Sequence, residues 1–418
     1  MNASNTTTNT SADDLQATRR ARKRSTVSTG IAVVLAVVLL LVGVGVGYAV
    51  EKSVGGSSSS GSSSVTLSET GSTLIFPAMN LWGPAFTNYT GGNVHVTTAG
   101  TGSGTGISSA EGGLVDIGGT DAYLAPSTAA SYNLINVPSA ISAQLVFYNL
   151  PGLNSHHLNL NGTILAMIWE GTITNWNNPL IAAANPGVNL PSNPITPLHR
   201  SDGSGDTFMF SSLMFMSWSG WTHGFGTTIS WISSSPGYQG NGGMVSGLQA
   251  TPYGIAYIGI SYLAEAAADG LGYAALGDNL ANSASGGLNP ANYIMPTPQN
   301  ISYDANLALQ NLQPPSVAIT LILGGVPGAV LSNGGLGKGG SNPTSAYPTP
   351  YPDVNLEYLL VSTAPASPSH QYYVVAFLHW ILSFGQQSKY LGVVSFLPLT
   401  AEVIGYDMEA IGAVNAAK

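Results

Sequence analysis

Short apolar runs alternate with polar, glycine-containing segments from residue 65 onward. The runs that predict strands share β-branched and other apolar residues and cover 65–76, 93–99, 115–123 and 143–150. Between the first two, residues 77–90 place apolar side chains at helical spacing behind a leading proline. This β-α-β-α-β order predicts an α/β fold with a mostly parallel sheet covered by helices.

The second half of the chain has a less regular pattern. Residues 163–186 and 371–391 carry apolar residues at helical spacing, and the latter is the clearest amphipathic helix. Residues 228–250 and 330–355 are rich in Gly, Pro and Ser and predict long loops. Residues 346–363 predict a loop that leads into a strand.

The N-terminal segment differs from everything that follows. Residues 30–50 form a 21-residue run without a charged side chain, five residues after the basic sequence RRARKR (19–24). A helix of that length is about 31 Å long, which matches the hydrocarbon core of a bilayer. We expect a basic cytoplasmic tail (1–29), a transmembrane signal-anchor (30–50) and a Ser/Gly-rich linker (51–66). A cleaved secretory signal is the alternative, and either would export the remaining chain.

The composition of the chain excludes several classes of function. Charged residues make up only 7% of the chain, against about 25% in average soluble proteins. Residues 65–418 hold 16 acidic and four basic side chains, a net charge of −12, so we expect no nucleic-acid partner. The absence of cysteine excludes disulfides and thiolate metal sites, and we predict neither a cofactor nor a metal. The low charge density also fits a protein that works in acid.

Three segments combine a glycine-rich or serine-rich turn with a predicted helix start: GSTLIFPA (71–78), AGTGSGTGISSA (99–110) and LHRSDGSGDTF (198–208). Free backbone N–H groups and the positive end of a helix favour an anion. Hydroxyl donors occur at the same places, namely Ser72, Thr73, Ser103, Ser204 and Thr207. The second segment has two alternative interpretations: a turn that binds no ligand, or part of a dinucleotide-binding loop.

Arg200 is the only arginine after residue 24. An exposed arginine is usually a solvated charge, but this one directly precedes the serine- and glycine-rich turn. Its planar guanidinium can bind a tetrahedral oxyanion through two N–H groups. Asp202, two residues on, can orient it.

At these residues the sequence resembles the PstS family, the extracytoplasmic phosphate-binding proteins of phosphate ABC importers. The matching runs occur in the family's order: GSTLIFP, GTGSGTGI, VDIGGTDAYL, GTITNWNNPLIAAANPGVNLP, HRSDGSGDTF and GNGGMVSGLQATPYGIAYIGIS. The resemblance implies a two-lobed type II periplasmic-binding-protein fold with a two-crossing hinge and phosphate between the lobes. We place the hinge near 147–151 and 351–356. The implied lobes are 67–148 plus 354–418 for lobe one and 149–353 for lobe two.

The resemblance also implies the phosphate ligands. They are Thr73, Leu74, Ile75 and Phe76 in the first loop, Ser103 in the second, Asp121 after the third strand, and Arg200, Ser204, Gly205, Asp206 and Thr207 in lobe two. Ser72 and Asp202 are supporting residues. Two positions depart from the family pattern: some relatives carry Thr where Ile75 stands, and some carry Thr where Asp206 stands. At Asp206 we therefore expect the backbone N–H, and not the side chain, to bind.

Asp121 has a specific implied role. A carboxylate repels anions unless the anion donates a proton to it in a hydrogen bond. Phosphate carries such a proton near neutral pH and sulfate does not, so an unpaired acceptor would exclude sulfate. A turn or helix-cap role for Asp121 is the alternative.

The sequence thus predicts an anchored extracellular receptor that delivers inorganic phosphate to the permease of an ABC importer driven by a cytoplasmic ATPase. It would contact the membrane through residues 30–50. Receptors for sulfate or molybdate, or a surface protein that retains the fold, are the alternatives. We do not expect an enzyme: His199, Ser204 and Asp121 supply the residue types of a triad, but no G-x-S-x-G turn accompanies them.

Overall fold

The computed structural model describes residues 64–277, 293–302, 351–365 and 367–416. All of the described residues belong to one compact unit, Ser63–Lys418. The predicted tail, membrane span and most of the linker lie outside the described residues. Within the described ranges, no helix is both long and apolar enough to cross a bilayer.

The strands of the described residues are numbered in chain order. They are β1 Val65–Gly71, β2 Val94–Thr97, β3 Ile117–Thr120, β4 Leu134–Tyr148, β5 Asn159–Asn161, β6 Thr196–Pro197, β7 His199–Arg200, β8 Gly237–Tyr238, β9 Gly254–Gly259, β10 Gly272–Tyr273, β11 Ala275–Gly277, β12 Tyr293–Ile294 and β13 Val354–Ser362.

The α-helices alternate with these strands. They are α1 Phe76–Tyr89, α2 Ser103–Glu111, α3 Pro126–Ser131, α4 Gly162–Trp169, α5 Pro179–Ala184, α6 Gly205–Ser217, α7 Gly240–Gln249, α8 Leu263–Ala268, α9 Pro368–Ser383, α10 Ser388–Leu391 and α11 Ala401–Ala416. Short 3₁₀ turns cover Ile260–Tyr262, Phe384–Gln386 and Gly392–Val394. The predicted α/β class is therefore confirmed.

An eight-stranded sheet organises the fold, in the order β2-β1-β3-β13-β4-β9-β6 with β10 beside β4. Strand β1 is parallel to β2 and β3, and β6 is parallel to β9. The two central strands, β4 and β13, are antiparallel to each other and to their outer neighbours β9 and β3. The prediction of a mostly parallel sheet is wrong here, because β13 enters the sheet from far along the chain and runs against both neighbours.

Strand β4 connects two parts of this sheet. Its residues 134–143 pair with β13, and its residues 144–148 pair with β9. At the change of partner, Gln144 N donates to Asp353 O at 2.9 Å, one residue before β13 begins. The predicted hinge segments lie close to this point, but the lobe boundaries drawn from them remain a prediction.

Helix α9, the third from the end of the described chain, completes the core around α1. Helix α1 buries Ala78, Met79, Trp82 and Phe86, the spacing of one helical face. The Phe86 ring lies 4.9 Å from the ring of Phe377 in α9. The start and the end of the described chain therefore share one hydrophobic core.

Two predicted elements differ in the structure. Residues 228–250, expected to be a loop, contain α7, because Met244, Val245 and Leu248 form a buried helical face that the glycine content concealed. The helix expected over 163–186 is two shorter helices, α4 and α5. The amphipathic helix expected over 371–391 is confirmed as α9 up to Ser383, and a 3₁₀ turn separates it from α10.

Candidate functional site

The first predicted loop connects β1 to α1 through a tight turn. A Cβ atom at Gly71 would lie 2.0 Å from Gly119 O, so β1 and β3 approach each other as only glycine allows. Ser72 N donates to Gly119 O at 2.8 Å. The Ser72 hydroxyl accepts from Leu74 N at 3.0 Å and from Ile75 N at 3.2 Å. Two of the amides expected to hold an anion thus already have a partner in Ser72.

The second loop brings the first turn of α2 to the same place. The backbone at Gly102 adopts φ 97°, which turns the chain into the helix at Ser103. Ser103 Oγ donates to Asp121 Oδ2 at 3.3 Å. Gly104 N donates to Gly203 O at 2.8 Å and so connects this loop to the third predicted segment.

Asp121 follows β3 directly and is 1% exposed. Its carboxylate accepts from Ser72 Oγ and Ser103 Oγ, and its main-chain carbonyl accepts from Asn355 Nδ2 at 2.8 Å. Burial raises the pKa of Asp121, against the opposing effects of hydrogen bonds and of the Arg200 charge. Asp121 is therefore a buried acceptor held by hydroxyl donors of the chain, and its role as an acceptor for the ligand stays a prediction.

Arg200 lies in β7, and its side chain is 1% exposed. Its backbone N–H donates to the Tyr257 hydroxyl at 2.9 Å. The guanidinium donates through Nε to Asp202 Oδ1 at 2.8 Å and through Nη1 to Asp206 Oδ2. Burial alone would lower the pKa of Arg200, but these two carboxylates outweigh it and raise the pKa. The predicted support by Asp202 is observed, and a second carboxylate accompanies it.

Helix α6 begins beside Asp121. Ser204 is its N-cap and accepts from Thr207 N at 3.2 Å. A Cβ atom at Gly205 would lie 2.5 Å from the Asp121 carboxylate, so the start of the helix contacts that side chain directly. The Thr207 hydroxyl lies 2.8 Å from the Tyr257 hydroxyl.

The Asp206 carboxylate is buried among donors of the chain. That its backbone N–H, and not its side chain, binds the ligand stays a prediction. Asp206 Oδ2 accepts from Asn241 Nδ2 at 2.9 Å and from Arg200. In the amide orientation that satisfies its neighbours, Gln144 donates to Asp206 Oδ1 at 2.7 Å. Burial, and next the nearby Asp121 charge, raise the pKa of Asp206 to about 7.

We call these groups, all buried except Asp202, the polar cluster. Its members are Ser72, Thr73, Ser103, Asp121, Arg200, Asp202, Ser204, Asp206, Thr207 and Asn241. Every residue of the predicted site with a polar side chain belongs to it. Of the others, Leu74 and Ile75 are fully buried, Gly205 contacts Asp121, and Phe76 is the first residue of α1.

Several residues of this region were not predicted. Asn241 at the start of α7 donates through Nδ2 to Thr73 Oγ1 at 3.0 Å and so joins the first loop to Asp206. Glu357 of β13 is fully buried near Asp121, and burial raises its pKa well above the ordinary value. Its Oε2 has no hydrogen-bond partner among the described residues. The run containing Asn241 was part of the family resemblance. The sequence around Glu357, in contrast, did not indicate that this residue lies near the predicted site.

The triad considered as an alternative is not assembled among the described residues. His199 Nδ1 pairs with Ser235 Oγ at 2.8 Å. Ser204 Oγ donates to Asp206 Oδ2 at 3.4 Å. The described part of the chain also contains no group of three or more His, Asp or Glu side chains placed to hold a metal ion. The cluster instead offers hydroxyls, helix starts and one guanidinium to an anion.

Comparison with known proteins identifies relatives. The family described as PBP superfamily domain matches residues 56–305. The phosphate-binding protein PstS of Xylella fastidiosa is 34% identical over 200 residues, which cover 47% of this chain and 54% of that protein. The chain thus spans about half the length of the curated relatives it matches. The resemblance to PstS proteins predicted from the motifs is confirmed.

Solved structures share the fold. A human phosphate binding apolipoprotein aligns with a TM-score of 0.59 at 19% identity, over 81% of this chain and 92% of that chain. A putative phosphate ABC transporter substrate-binding protein from Clostridium perfringens, with bound phosphate, aligns with a TM-score of 0.52 at 19% identity, over 80% of this chain and all of that chain. At such identities the similarity establishes a common α/β fold.

Proposed function

Because this chain belongs to the PBP superfamily, we propose that it is a receptor that binds inorganic phosphate at the polar cluster. The observation that carries the proposal is the burial of one guanidinium and one carboxylate where α2 and α6 begin. Arg200 and Asp121 are 3% and 1% exposed. A cation with helix-start donors attracts an oxyanion, and a buried acceptor favours an oxyanion that carries a proton.

The names of the relatives support the same ligand. The curated proteins that match are phosphate-binding proteins PstS, and a protein with the same fold was crystallised with bound phosphate. By analogy, the chain delivers phosphate to the permease subunits of an ABC importer with a cytoplasmic ATPase, and it performs no chemical reaction. Sulfate or molybdate remains the alternative ligand.

The finer architecture is part of this proposal. We infer two lobes of the type II arrangement, joined where β4 changes its partner from β13 to β9, with the polar cluster between them. Contacts such as Asn241 to Thr73 and Gly104 to Gly203 would then form on closure. We also propose that residues 30–50 anchor the chain as a single-pass protein with its bulk outside the cell.

Calorimetric titration of the purified full-length chain with phosphate, and then with sulfate and molybdate, tests the proposal. We expect saturable binding of one phosphate per chain and at least a hundredfold weaker binding of sulfate. Absence of phosphate binding between pH 5 and 8.5 would contradict the proposal. Tighter binding of sulfate or molybdate would identify the alternative ligand class.

A further inference from the structure

The positive charge of Arg200 is already paired with two carboxylates of the chain. Its Nε donates to Asp202 Oδ1 at 2.8 Å, and Nη1 contacts Asp206 Oδ2. The side chains of Arg200 and Asp206 are each 1% exposed, so water does not screen this contact. If both carboxyls are ionised, the three side chains carry a net charge of −1.

Asp206 is held in place from several directions. Asn241 Nδ2 donates to Oδ2 at 2.9 Å, and Ser204 Oγ donates to the same atom at 3.4 Å. Gln144 donates to Oδ1 at 2.7 Å. The carboxyl therefore remains beside the guanidinium at the start of α6, where an anion would also bind.

Other titratable groups face Asp206 from each neighbouring element. They are Arg200 in β7, Asp202 in the loop after β7, Asp121 after β3, Asp353 and Glu357 at β13, Tyr257 in β9 and Tyr262 in the 3₁₀ turn. Burial raises the pKa of Asp353 and of Glu357 well above ordinary values. Burial raises the pKa of Asp206 to about 7, so this carboxyl exchanges its proton near neutrality.

We propose that Asp206 makes anion binding proton-linked: the site binds a doubly charged oxyanion only together with one proton, or else binds the singly charged oxyanion that already carries it. This inference deepens the proposed phosphate function and rests on it. The bound state contains one proton more than the ionised site plus a doubly charged anion. That proton either neutralises Asp206, which frees Arg200 to pair with the anion, or arrives on the anion as a hydroxyl.

The charge count explains the preference. A doubly charged anion beside an ionised Asp206 would leave a net charge of −3 on the group formed with Arg200 and Asp202 in a dry site. Dihydrogen phosphate reduces this excess by one charge. Its two hydroxyls can donate to two acceptors, and two of the three carboxyls of the cluster, Asp121 and Asp206, are each 1% exposed. Sulfate offers no hydroxyl to either.

Calorimetry on the full-length chain tests this inference with phosphate as the probe. Titrations at pH 5.5, 7.0 and 8.5, each in two buffers of different protonation enthalpy, give the affinity and the number of protons taken up per anion. Asp206→Asn keeps the size of the side chain and removes the titration. Asp206→Thr is a second variant in case the amide disturbs folding, and thermal unfolding verifies that each variant is folded. Asp269→Asn, at an exposed position, is the matched control.

Between pH 7.0 and 8.5, we expect the affinity of the wild type to fall about tenfold more than that of Asp206→Asn, because a site with a pKa of about 7 loses its proton over this range. The wild type and Asp269→Asn should also take up more protons per phosphate at pH 8.5 than either Asp206 variant. Phosphate's own ionisation is common to all four proteins and cancels in this comparison. Identical pH profiles and proton counts in all four would overturn the inference and leave the receptor function intact. Absence of phosphate binding by the wild type at every pH would overturn both.

Discussion

Asp121 is the residue whose charge opposes anion binding most directly, and its neighbours indicate why it is retained. Ser72 and Ser103 donate to its two carboxylate oxygens, and Gly205 leaves room for it against the start of α6. An acceptor placed among donors distinguishes oxyanions by whether they carry a proton. Its contribution should therefore be seen in selectivity more than in affinity.

Replacing Asp121 with Asn tests this role. The amide can donate to an oxyanion without a proton, so the preference for phosphate over sulfate should fall by roughly 10²–10³-fold, while the affinity for phosphate changes much less. Competition calorimetry with the two anions measures the ratio, and Asp269→Asn serves as the matched control. An unchanged ratio would show that Asp121 does not face the ligand.

Arg200 is expected to support both binding and folding, because two carboxylates depend on it. In Arg200→Ala, Asp206 loses its buried cation, and breaking such a pair costs about 3–5 kcal/mol. We expect anion binding to weaken by at least a hundredfold for phosphate and sulfate alike, together with a lower unfolding temperature at pH 8. At pH 5 the loss of stability should be smaller, because Asp206 is then protonated.

Arg200→Lys separates charge from geometry in the same assays. A lysine keeps the charge but cannot reach Asp202 and Asp206 with a planar fork of donors. It should restore most of the stability and only part of the binding. Equal phosphate affinity of Arg200→Ala and the wild type would refute the assignment of Arg200 to the site.

At the scale of elements, the position of Ser103 depends on how closely α2 approaches the sheet. A Cβ atom at Gly106 would lie 2.3 Å from Gly119 O and 2.8 Å from Gly71 Cα. The helix backbone therefore packs directly on β1 and β3. Both atoms that an added Cβ would meet belong to the main chain, so neither can move away by rotation of a side chain. Helix α2 can seat Ser103 beside Asp121 only because residue 106 has no side chain.

Gly106→Ala should displace α2 and weaken phosphate binding together with stability. We expect a loss of about 1–3 kcal/mol in the free energy of unfolding, as for other overpacked sites. Gly405→Ala in α11 is the matched control, because nothing lies within 4 Å of its added Cβ, and alanine favours a helix by roughly 0.5–1 kcal/mol. Chemical denaturation and phosphate titration of both variants measure the two effects. A Gly106→Ala protein as stable as the wild type would contradict this close packing.

The sequence predicted these elements unevenly, for physical reasons. The turns before α2 and α6 depend on the local sequence. GTGSGTGI and HRSDGSGDTF were therefore sufficient to predict these turns and to identify Ser103, Arg200 and Asp202 as candidate site residues. Glu357 could not be predicted, because NLEYLLV predicts a strand in which one acid usually faces solvent. Only the pairing of β13 with β3 and β4 buries this side chain near Asp121. The ion pair of Asp206 likewise depends on contacts between distant segments.

At the scale of the whole molecule, six of the fourteen acidic side chains of the described residues are buried. Buried carboxyls with raised pKa values occur in and beside the polar cluster and also in other elements, as at Glu69 in β1 and Asp407 in α11. Burial raises the pKa of Glu69 in β1 from 4.5 to about 8, although Thr98 donates to it. Each such group binds its proton more tightly in the folded state than in the unfolded state.

This distribution predicts that the protein is most stable in mild acid. A carboxyl with a raised folded pKa stabilises the fold fully below its unfolded pKa, and that contribution is lost as pH rises through the folded value. For Glu69 the window runs from 4.5 to about 8, and the loss amounts to at most about 4–5 kcal/mol. We therefore expect the unfolding midpoint, measured by circular dichroism without phosphate, to be higher at pH 5 than at pH 8. Glu69→Gln should reduce the difference by stabilising the protein at pH 8, whereas Asp269→Asn should leave it unchanged. A midpoint that rises with pH, or that falls steeply below pH 4, would mean that these carboxyls are ionised in the folded protein and hold it together as ion pairs.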